Sequence, residues 1–228
     1  MKFGIIIFPG TWSDRDCYYA VNNIMGQDAV YIWHQDTNLE DCDCIILPGG
    51  FSYGDYLRPG AIARFSPVMD AVKNFADSGK PVIGICNGFQ VLCESGLLPG
   101  ILMQNNHLQY RCQWTNLKTE NKNSVFTNKC PATKTLKIPV SHYEGNYYAD
   151  DNTLKKLEDE GRIAFRYATV SGEITDSASP NGAVHNIAGI LNKKGNVLGM
   201  MPHPERSCEP ILGSTDGNYI WESIIASL

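Results

Sequence analysis

Short apolar runs rich in β-branched residues alternate with segments of helical periodicity, and this alternation constrains the fold more than any other feature of the chain. The runs span residues 3–8, 29–33, 44–47 and 81–85, and helical patterns cover residues 13–25 and 61–78. Continuous apolar runs are typical of strands that are buried on both faces, as in a parallel sheet. The pattern therefore predicts an α/β fold with a doubly wound, mostly parallel sheet and flanking helices, whose ligands bind at the carboxyl ends of the strands.

The second half of the chain is less regular. Alternating residues predict strands over 111–120 and 136–141, and a charged segment predicts a short helix over 151–160. Two apolar runs flank a turn-forming segment and are typical of a strand pair, and residues 218–228 predict a closing helix. These two runs span residues 187–191 and 197–201. Because no internal repeat, low-complexity tract or long linker divides the sequence, we expect residues 1–228 to form a single domain.

The composition argues against several classes of partner. The chain carries a formal net charge of -5, whereas electrostatic binding to nucleic acid favours basic surfaces. No apolar run approaches the roughly 18 residues of a membrane-spanning helix. The first residues run directly into an apolar strand pattern and lack the features of a signal peptide. We therefore expect a cytoplasmic protein that has neither nucleic acid nor a membrane as a partner.

The eight cysteines predict neither a disulfide framework nor a metal site. Their content is below the roughly 8–10% that is typical of disulfide scaffolds. The sequence contains no C-x-x-C pair, which disfavours a zinc site built on paired knuckles. Most of these thiols are therefore expected to be reduced and buried, as small hydrophobic side chains would be.

One cysteine lies in a different pattern. Gly84, Cys86 and Gly88 form the sequence G-x-C-x-G directly after a predicted strand and before a helical run. This is the pattern of a nucleophile elbow, in which cysteine replaces the more common serine. The glycines leave room for a sharp strand-to-helix turn, and a position at a helix N-terminus favours the reactive thiolate. A buried structural cysteine at a strand end is the alternative interpretation.

A cysteine nucleophile needs a base and a group that orients the base. His203 and Glu205 follow the apolar run 197–201, and Pro204 stands between them. Residues two apart in an extended segment project to the same side, so this spacing predicts that the imidazole and the carboxylate act together. A surface turn that happens to contain a histidine is the alternative, and the cysteine elbow upstream makes it the weaker one.

A glycine pair supplies a third element. Gly49 and Gly50 follow the predicted strand 44–47, where a backbone N–H group could approach a reacting carbonyl oxygen. An ordinary turn is the alternative. The loop over residues 49–54 contains neither G-x-G-x-x-G nor a Walker lysine, so nucleotide binding by this loop is not expected.

Together these three regions resemble the signature regions of class I, or triad-type, glutamine amidotransferases. Longer strings narrow the resemblance to glutaminase subunits that serve a separate synthetase. These strings are PGGFSYGDYLR at residues 48–58, GAIAR at 60–64, CNGFQ at 86–90 and GNVLGMMPHPER at 195–206. The resemblance extends from residue 2 to the C-terminal helix.

The resemblance implies a flavodoxin-like glutaminase with a covalent mechanism. Cys86 would attack the side-chain amide of glutamine, His203 would transfer a proton to the departing ammonia, and Glu205 would orient the imidazole. The backbone N–H groups of Gly50 and Asn87 would form an oxyanion hole, which is typically worth ~3 kcal/mol per donor. Water would then hydrolyse the γ-glutamyl thioester and release glutamate.

The resemblance also implies a set of substrate-binding residues. Gln90 matches the glutamine-contacting position of the G-x-C-x-G-x-Q motif. Residues 142–145 match a segment whose backbone binds the α-amino and carboxylate end of the substrate in related domains. With one residue of the glycine loop, the implied substrate-binding residues are Gln90, Phe51, His142, Tyr143 and Glu144.

For the chain as a whole, the resemblance implies glutamine as the substrate and two protein partners. Ammonia would pass to an ATP-dependent synthetase large subunit, in a complex that also contains a small accessory subunit. This synthetase converts formylglycinamide ribonucleotide to formylglycinamidine ribonucleotide in de novo purine biosynthesis. No cofactor is expected on this chain, and ATP and Mg²⁺ are expected on the synthetase.

The chain departs from the usual family pattern at three places. Tyr143 stands where a glycine is common, Pro59 stands where a cysteine is common, and Thr11-Trp12 replaces a pair of small polar residues. Three charged side chains are also predicted near the mouth of the site, where solvated arginines are the ordinary expectation. They are Arg58, Arg64 and Arg206.

Two rival functions remain open from the sequence. A free-standing cysteine amidase or γ-glutamyl hydrolase on the same fold would use the same triad. A non-catalytic flavodoxin-like binding module would keep Cys86 as a packed thiol, although the presence of His203 and Glu205 disfavours it.

Overall fold

The computed structural model describes residues 1–39 and 41–228. The strands are β1 (Lys2–Ile7), β2 (Asp28–Trp33), β3 (Cys44–Leu47), β4 (Val82–Ile85), β5 (Ile101–Met103), β6 (Arg111–Thr119), β7 (Leu136–His142), β8 (Asn146–Tyr148), β9 (Ile163–Ala168), β10 (Ile187–Leu191) and β11 (Val197–Met200). The helices are α1 (Asp14–Tyr18), α2 (Val68–Asp77), α3 (Asn87–Glu94), α4 (Asp151–Asp159) and α5 (Asn218–Ser227).

One mixed sheet forms the centre of the molecule. Within the described residues it has nine strands, in the order β2-β1-β3-β4-β11-β10-β9-β6-β7. The first five strands are parallel, and the last four are added by antiparallel pairing. Because only β10 and β6 run opposite to the others, seven of these nine described strands point the same way. The predicted α/β fold with a mostly parallel sheet is confirmed.

The innermost parallel strands are buried along their whole length. Every residue of β3, β4 and β11 is buried, which accounts for their uninterrupted apolar sequences. Their carboxyl ends lie at one edge of the sheet, because parallel strands point the same way. Gly49, Cys86 and His203 each follow one of these three strands within three residues, so the topology brings the three signature regions together.

The predicted helix over residues 61–78 is wrong in its first part. A 3₁₀ turn spans Ala63–Phe65, and the chain then becomes extended at Ser66, with φ -65° and ψ 140°. The cause is Pro67, since the ring of a proline disfavours helical geometry in the residue before it. The helix α2 therefore begins only at Val68.

The helix predicted over residues 13–25 forms, but in two geometries. It starts as α1 and continues as a π-helical segment over Tyr19–Ile24, in which the Met25 N–H donates to the Ala20 carbonyl at 3.0 Å. Gly26 ends it with a φ of 65°.

Three strands that the sequence pattern did not predict are β5, β8 and β9, of which β5 and β8 form a small antiparallel pair apart from the main sheet. In the described part of the chain, no helix is both long and apolar enough to cross a membrane.

Candidate active site

Cys86 lies at a sharp turn between β4 and α3. Its backbone has a φ of 51° and a ψ of -106°, a strained geometry that costs roughly 1–3 kcal/mol for a non-glycine residue. The Cys86 N–H donates to the Met200 carbonyl at 2.8 Å, which fixes the turn to β11. A Cβ at Gly88 would lie 1.9 Å from the Leu47 carbonyl oxygen, so only glycine allows α3 to pack this closely on β3.

The thiol of Cys86 is nearly buried and faces β7. Its Sγ lies 3.6 Å from the backbone oxygen of Ser141, and the residue is 5% exposed. Asn87 is the first residue of α3, where backbone N–H groups have no partner within the helix. The first position of α3 therefore gives the Asn87 N–H no partner within the helix, and its role in an oxyanion hole stays a prediction.

His203 and Glu205 form a buried pair. The Nδ1 atom of His203 lies 2.6 Å from Oε1 of Glu205, and both residues are 2% exposed. The His203 N–H donates to the Pro139 carbonyl at 2.8 Å, which anchors this segment on β7. The other ring nitrogen, Nε2, is buried without a nitrogen or oxygen partner among the described residues, and the Cys86 thiol is its neighbour on that side.

The electrostatic surroundings keep His203 protonated. Burial alone lowers its pKa, but the carboxylate of Glu205 and the sulfur of Cys86 outweigh this and raise the pKa to about 10. An imidazolium beside the sulfur is the state from which a proton can be given to a leaving amine.

The backbone geometry of this pair differs from the prediction. Residues 203–205 were expected to be extended, but Pro204–Arg206 forms a 3₁₀ turn. Pro204 occupies the first position of that turn, where the fixed φ of proline is suited to a helix. The turn returns Glu205 towards the imidazole, so the pair forms through a turn and not through alternation along a strand.

The glycine loop packs directly against the other two regions. A Cβ at Gly49 would lie 2.7 Å from Cε1 of His203 and 3.4 Å from Cβ of Cys86. Gly50 has a φ of 152°, and a Cβ there would lie 2.6 Å from the Trp12 backbone nitrogen. The described hydrogen bonds of this loop do not use the Gly50 N–H, which remains available near the sulfur.

A chain of side-chain hydrogen bonds holds the start of α3. Asn87 accepts from the Ser52 N–H at 3.1 Å and donates to Oε1 of Gln90 at 2.9 Å. Gln90 in turn donates from Nε2 to the backbone oxygen of Glu144 at 2.6 Å. The predicted glutamine-contacting residue thus connects the elbow helix to the segment over residues 142–145.

A first cavity, the Gln90 cavity, brings the predicted substrate-binding residues together beside the sulfur. Its volume is about 270 Å³. It is lined by Gly50, Phe51, Asp55, Pro59, Cys86, Gln90, Ser141, His142, Tyr143 and Glu144.

A second cavity, the His203 cavity, lies on the imidazole side of the same sulfur. Its volume is about 240 Å³. It is lined by Trp12, Ser13, Gly50, Phe51, Cys86, Tyr110, Ser141, His203 and Arg206. Cys86 therefore borders both cavities.

The imidazole of His142 is part of the scaffold. Its Nδ1 lies 3.1 Å from Oδ1 of Asn105, and Nδ2 of Asn181 lies 3.4 Å from its Nε2. Burial, followed by the charge of His203, lowers the pKa of His142 to about 3, so this ring is neutral. A Cβ at Gly145 would lie 2.5 Å from the same ring, which explains the glycine.

The three departures from the family pattern all lie at these cavities. Tyr143 and Pro59 line the Gln90 cavity, and Pro59 is buried. Trp12 lines the His203 cavity with 72% of its surface exposed.

Sequence reasoning missed several residues of the site. Ser13 and Ser141 border the His203 cavity. Ser141 lies at the carboxyl end of β7, where its polar character was the available signal, whereas Ser13 directly precedes α1 and gave no such signal. Asp55 lies in a string that marked the resemblance but received no role. Burial, followed by the charge of Glu144, raises the pKa of Asp55 to about 6.

All eight cysteines are free, and seven of them are buried. Cys112 on β6 is the exposed one. Within residues 1–39 and 41–228, no group of three or more histidine, cysteine, aspartate or glutamate residues is arranged to hold a metal ion.

Comparison with known proteins identifies relatives over the full chain. The subunit PurQ of phosphoribosylformylglycinamidine synthase from Moorella thermoacetica is 58% identical over 225 residues, which cover 99% of this chain and 95% of the relative. The PurQ subunit from Koribacter versatilis is 53% identical, with 100% of this chain and 99% of the relative covered.

A solved structure agrees with these relatives. The structure of PurLQS from Thermotoga maritima contains a chain that matches with a TM-score of 0.87 and 38% identity, covering 99% of this chain and 98% of that one. The family model of the CobB/CobQ-like glutamine amidotransferase domain matches residues 1–222. On these matches, the chain belongs to the CobB/CobQ-like glutamine amidotransferase family.

Proposed function

We propose that this chain is the glutaminase subunit of a phosphoribosylformylglycinamidine synthase. It hydrolyses glutamine to glutamate and ammonia and supplies the ammonia to an ATP-dependent synthetase. That synthetase converts formylglycinamide ribonucleotide to formylglycinamidine ribonucleotide in de novo purine biosynthesis. The observation that carries the proposal is the buried His203–Glu205 pair beside Cys86, at the border of two cavities.

The proposed reaction has two halves. The sulfur of Cys86 attacks the side-chain amide carbon, and the negative oxygen that forms is stabilised by the N–H groups of Gly50 and Asn87. His203 gives a proton to the amide nitrogen, the carbon–nitrogen bond breaks, and ammonia leaves a γ-glutamyl thioester. His203 then takes a proton from water, whose oxygen attacks the thioester and releases glutamate and the free sulfur. Glu205 orients the imidazole throughout.

The substrate is proposed to occupy the Gln90 cavity. Its amide end lies at Cys86, and its α-amino and carboxylate end lies towards residues 142–145. The substrate-binding roles proposed from the sequence are supported by their position around one cavity, with Gln90 and the Glu144 backbone joined at 2.6 Å.

The proposed partners are a synthetase large subunit and a small accessory subunit. Two findings support these partners. The full-length relatives are named as one subunit of a synthase, and the solved chain that matches this one belongs to a complex whose name has three components. We assign ATP and Mg²⁺ to the synthetase and no cofactor to this chain. The cytoplasm is the proposed location, since eight free cysteines suit a reducing compartment.

The decisive experiment measures glutamine hydrolysis with and without the candidate synthetase, the accessory subunit, ATP and formylglycinamide ribonucleotide. We expect weak hydrolysis by the chain alone and a strong increase in the complete mixture. Equal rates in both conditions would favour a free-standing amidase or γ-glutamyl hydrolase.

A pair of variants identifies the nucleophile. Cys86→Ala should abolish glutamine-dependent synthesis by the complex and leave ammonia-dependent synthesis intact, whereas Cys112→Ala, at the exposed cysteine, should change neither. An electrophilic glutamine analogue that leaves Cys86 unmodified in the complete complex would favour the non-catalytic alternative.

A further inference from the structure

Arg206 is not the solvated arginine that the sequence suggested. Its side chain is 29% exposed and makes two directed contacts with the segment that follows β1. Nη2 donates to Oγ of Ser13 at 3.0 Å, and Nε donates to Oδ2 of Asp16 at 3.0 Å. Arg206 therefore joins two segments that are more than 180 residues apart in the sequence.

Ser13 connects this arginine to the glycine loop. The residue is 1% exposed, and its N–H donates to the Gly49 carbonyl at 3.0 Å. The Trp12 N–H donates to the same oxygen, also at 3.0 Å. Ser13 therefore has two contacts: its hydroxyl accepts from Arg206, and its N–H binds the carbonyl of Gly49. Gly49 is the residue directly before Gly50, the proposed oxyanion donor.

The same arginine approaches the His203–Glu205 pair. Its Nε lies 4.0 Å from Oε1 of Glu205, the oxygen that binds Nδ1 of His203. The peptide bond between residues 205 and 206 adds a covalent link. A guanidinium group has donors in a rigid fork, so one side chain can fix the distance between its partners.

We propose that Arg206 and Ser13 are positioning residues for the glutaminase reaction. Their hydrogen bond holds the oxyanion loop and the His203–Glu205 pair in one fixed relation around Cys86. This inference rests on the proposed glutaminase function and adds to it two residues that do not touch the reacting atoms. Acyl transfer needs the oxyanion donors and the proton donor on the same tetrahedral centre, so a shift of either part slows the reaction.

A purely structural ion pair would behave differently. It would lower stability when removed, but it would leave the turnover of the remaining folded protein unchanged. Arg166 on β9 provides the matched comparison, because it is also largely buried and pairs with both carboxylate oxygens of Glu158, while it lines neither cavity.

The test uses the complete complex of this chain with its synthetase and accessory subunits. Arg206→Gln, Ser13→Ala and the double variant are compared with Arg166→Gln and the wild type. For each, kcat and KM for glutamine, the rate of ammonia-dependent synthesis and the melting temperature of the chain are measured.

We expect Arg206→Gln and Ser13→Ala each to lower kcat for glutamine about 10- to 100-fold, with KM changed by less than about threefold. The double variant should be no slower than the slower single variant, because both remove the same link. Arg206→Lys keeps the positive charge and a single donor nitrogen, so it should recover part of the rate that Arg206→Gln loses. Ammonia-dependent synthesis should stay at the wild-type rate in all of them.

Two results would overturn the inference. One is an unchanged kcat in Arg206→Gln and Ser13→Ala, with only the melting temperature lowered, as expected of Arg166→Gln. The other is a double variant whose losses multiply, because independent effects would mean that no shared link exists. If the wild-type complex itself hydrolyses no glutamine, the proposed function fails, and that outcome is distinct from both.

Discussion

The Nδ1 atom of His203 lies 2.6 Å from Oε1 of Glu205, and neither side chain is open to solvent. A histidine in such a place would be neutral without its partner, because burial disfavours the charged ring. The carboxylate, together with the sulfur of Cys86, therefore favours the protonated form of the imidazole.

Replacement of Glu205 by glutamine should slow glutamine hydrolysis roughly 10²- to 10⁴-fold. Without the carboxylate, burial lowers the pKa of His203, so less imidazolium is present to protonate the leaving amide nitrogen. The pH profile of kcat/KM should accordingly shift to lower pH. Glu209→Gln, at a nearby carboxylate outside the pair, serves as the control, and an equal loss in both variants would contradict the assigned role.

Asp55 should make substrate binding depend on pH. Its pKa is raised to about 6, so its carboxyl becomes neutral as the pH falls through that value. The carboxylates of Asp55 and Glu144 both line the Gln90 cavity, which also borders Cys86. Negative charge on these two carboxylates suits the ammonium group of a free amino acid. We expect KM for glutamine to rise as the pH falls from about 7 to 5, and we expect Asp55→Asn to have a high KM that varies less over the same range. A wild-type pH dependence that persists in Asp55→Asn would assign it to another group.

His142 should make folding stability fall in acid. Its pKa is about 3 in the folded chain against an ordinary value of 6.5, so below pH 6.5 the unfolded chain binds one more proton at this position. The free energy of unfolding should therefore decrease with falling pH by up to about 1.4 kcal/mol per unit more in the wild type than in His142→Gln. Denaturant unfolding between pH 6.5 and 4 measures this difference.

Gly88→Ala should prevent the elbow from forming. The added methyl group would overlap the Leu47 carbonyl oxygen, a backbone atom of the central sheet that cannot move aside. We expect a loss of at least about 3 kcal/mol in the free energy of unfolding and no glutaminase activity. At Gly96 a Cβ would meet nothing within 4 Å, so Gly96→Ala should cost only the roughly 1–2 kcal/mol of a left-handed alanine. Thermal unfolding and turnover of the two variants separate steric overlap from backbone strain.

Strands β3, β4 and β11 were predictable because every residue in them is buried, which gives each an uninterrupted apolar sequence. Strand β2 has only Ile32 buried, and its β-branched and aromatic residues were the signal that predicted it. Strand β9 was missed because Arg166 interrupts its apolar sequence, although the side chain reaches Glu158 at the surface. The first part of the helix over 61–78 was predicted wrongly because Pro67 forces Ser66 into extended geometry, which overrides the helical periodicity of the segment.

The candidate site also contains residues that the sequence could predict and contacts that it could not. Cys86, His203 and Glu205 could be predicted as a triad because each lies in a local motif whose spacing has a chemical reason, and the structure places Glu205 within 2.6 Å of His203. Ser13 and Arg206 could not be paired in advance, since their contact depends on how two loops 193 residues apart meet at one sheet edge. Such contacts follow from topology, which sequence spacing alone does not contain.

A sulfur that borders two compartments also has a kinetic consequence. In a working glutaminase, the acyl chain would fill the Gln90 cavity while the His203 cavity stays open beside the same atom. Ammonia could then depart, and water arrive, without displacing the bound glutamyl group. The two products would leave in a fixed order, so a neighbouring enzyme would receive its nitrogen before this one had completed its own cycle.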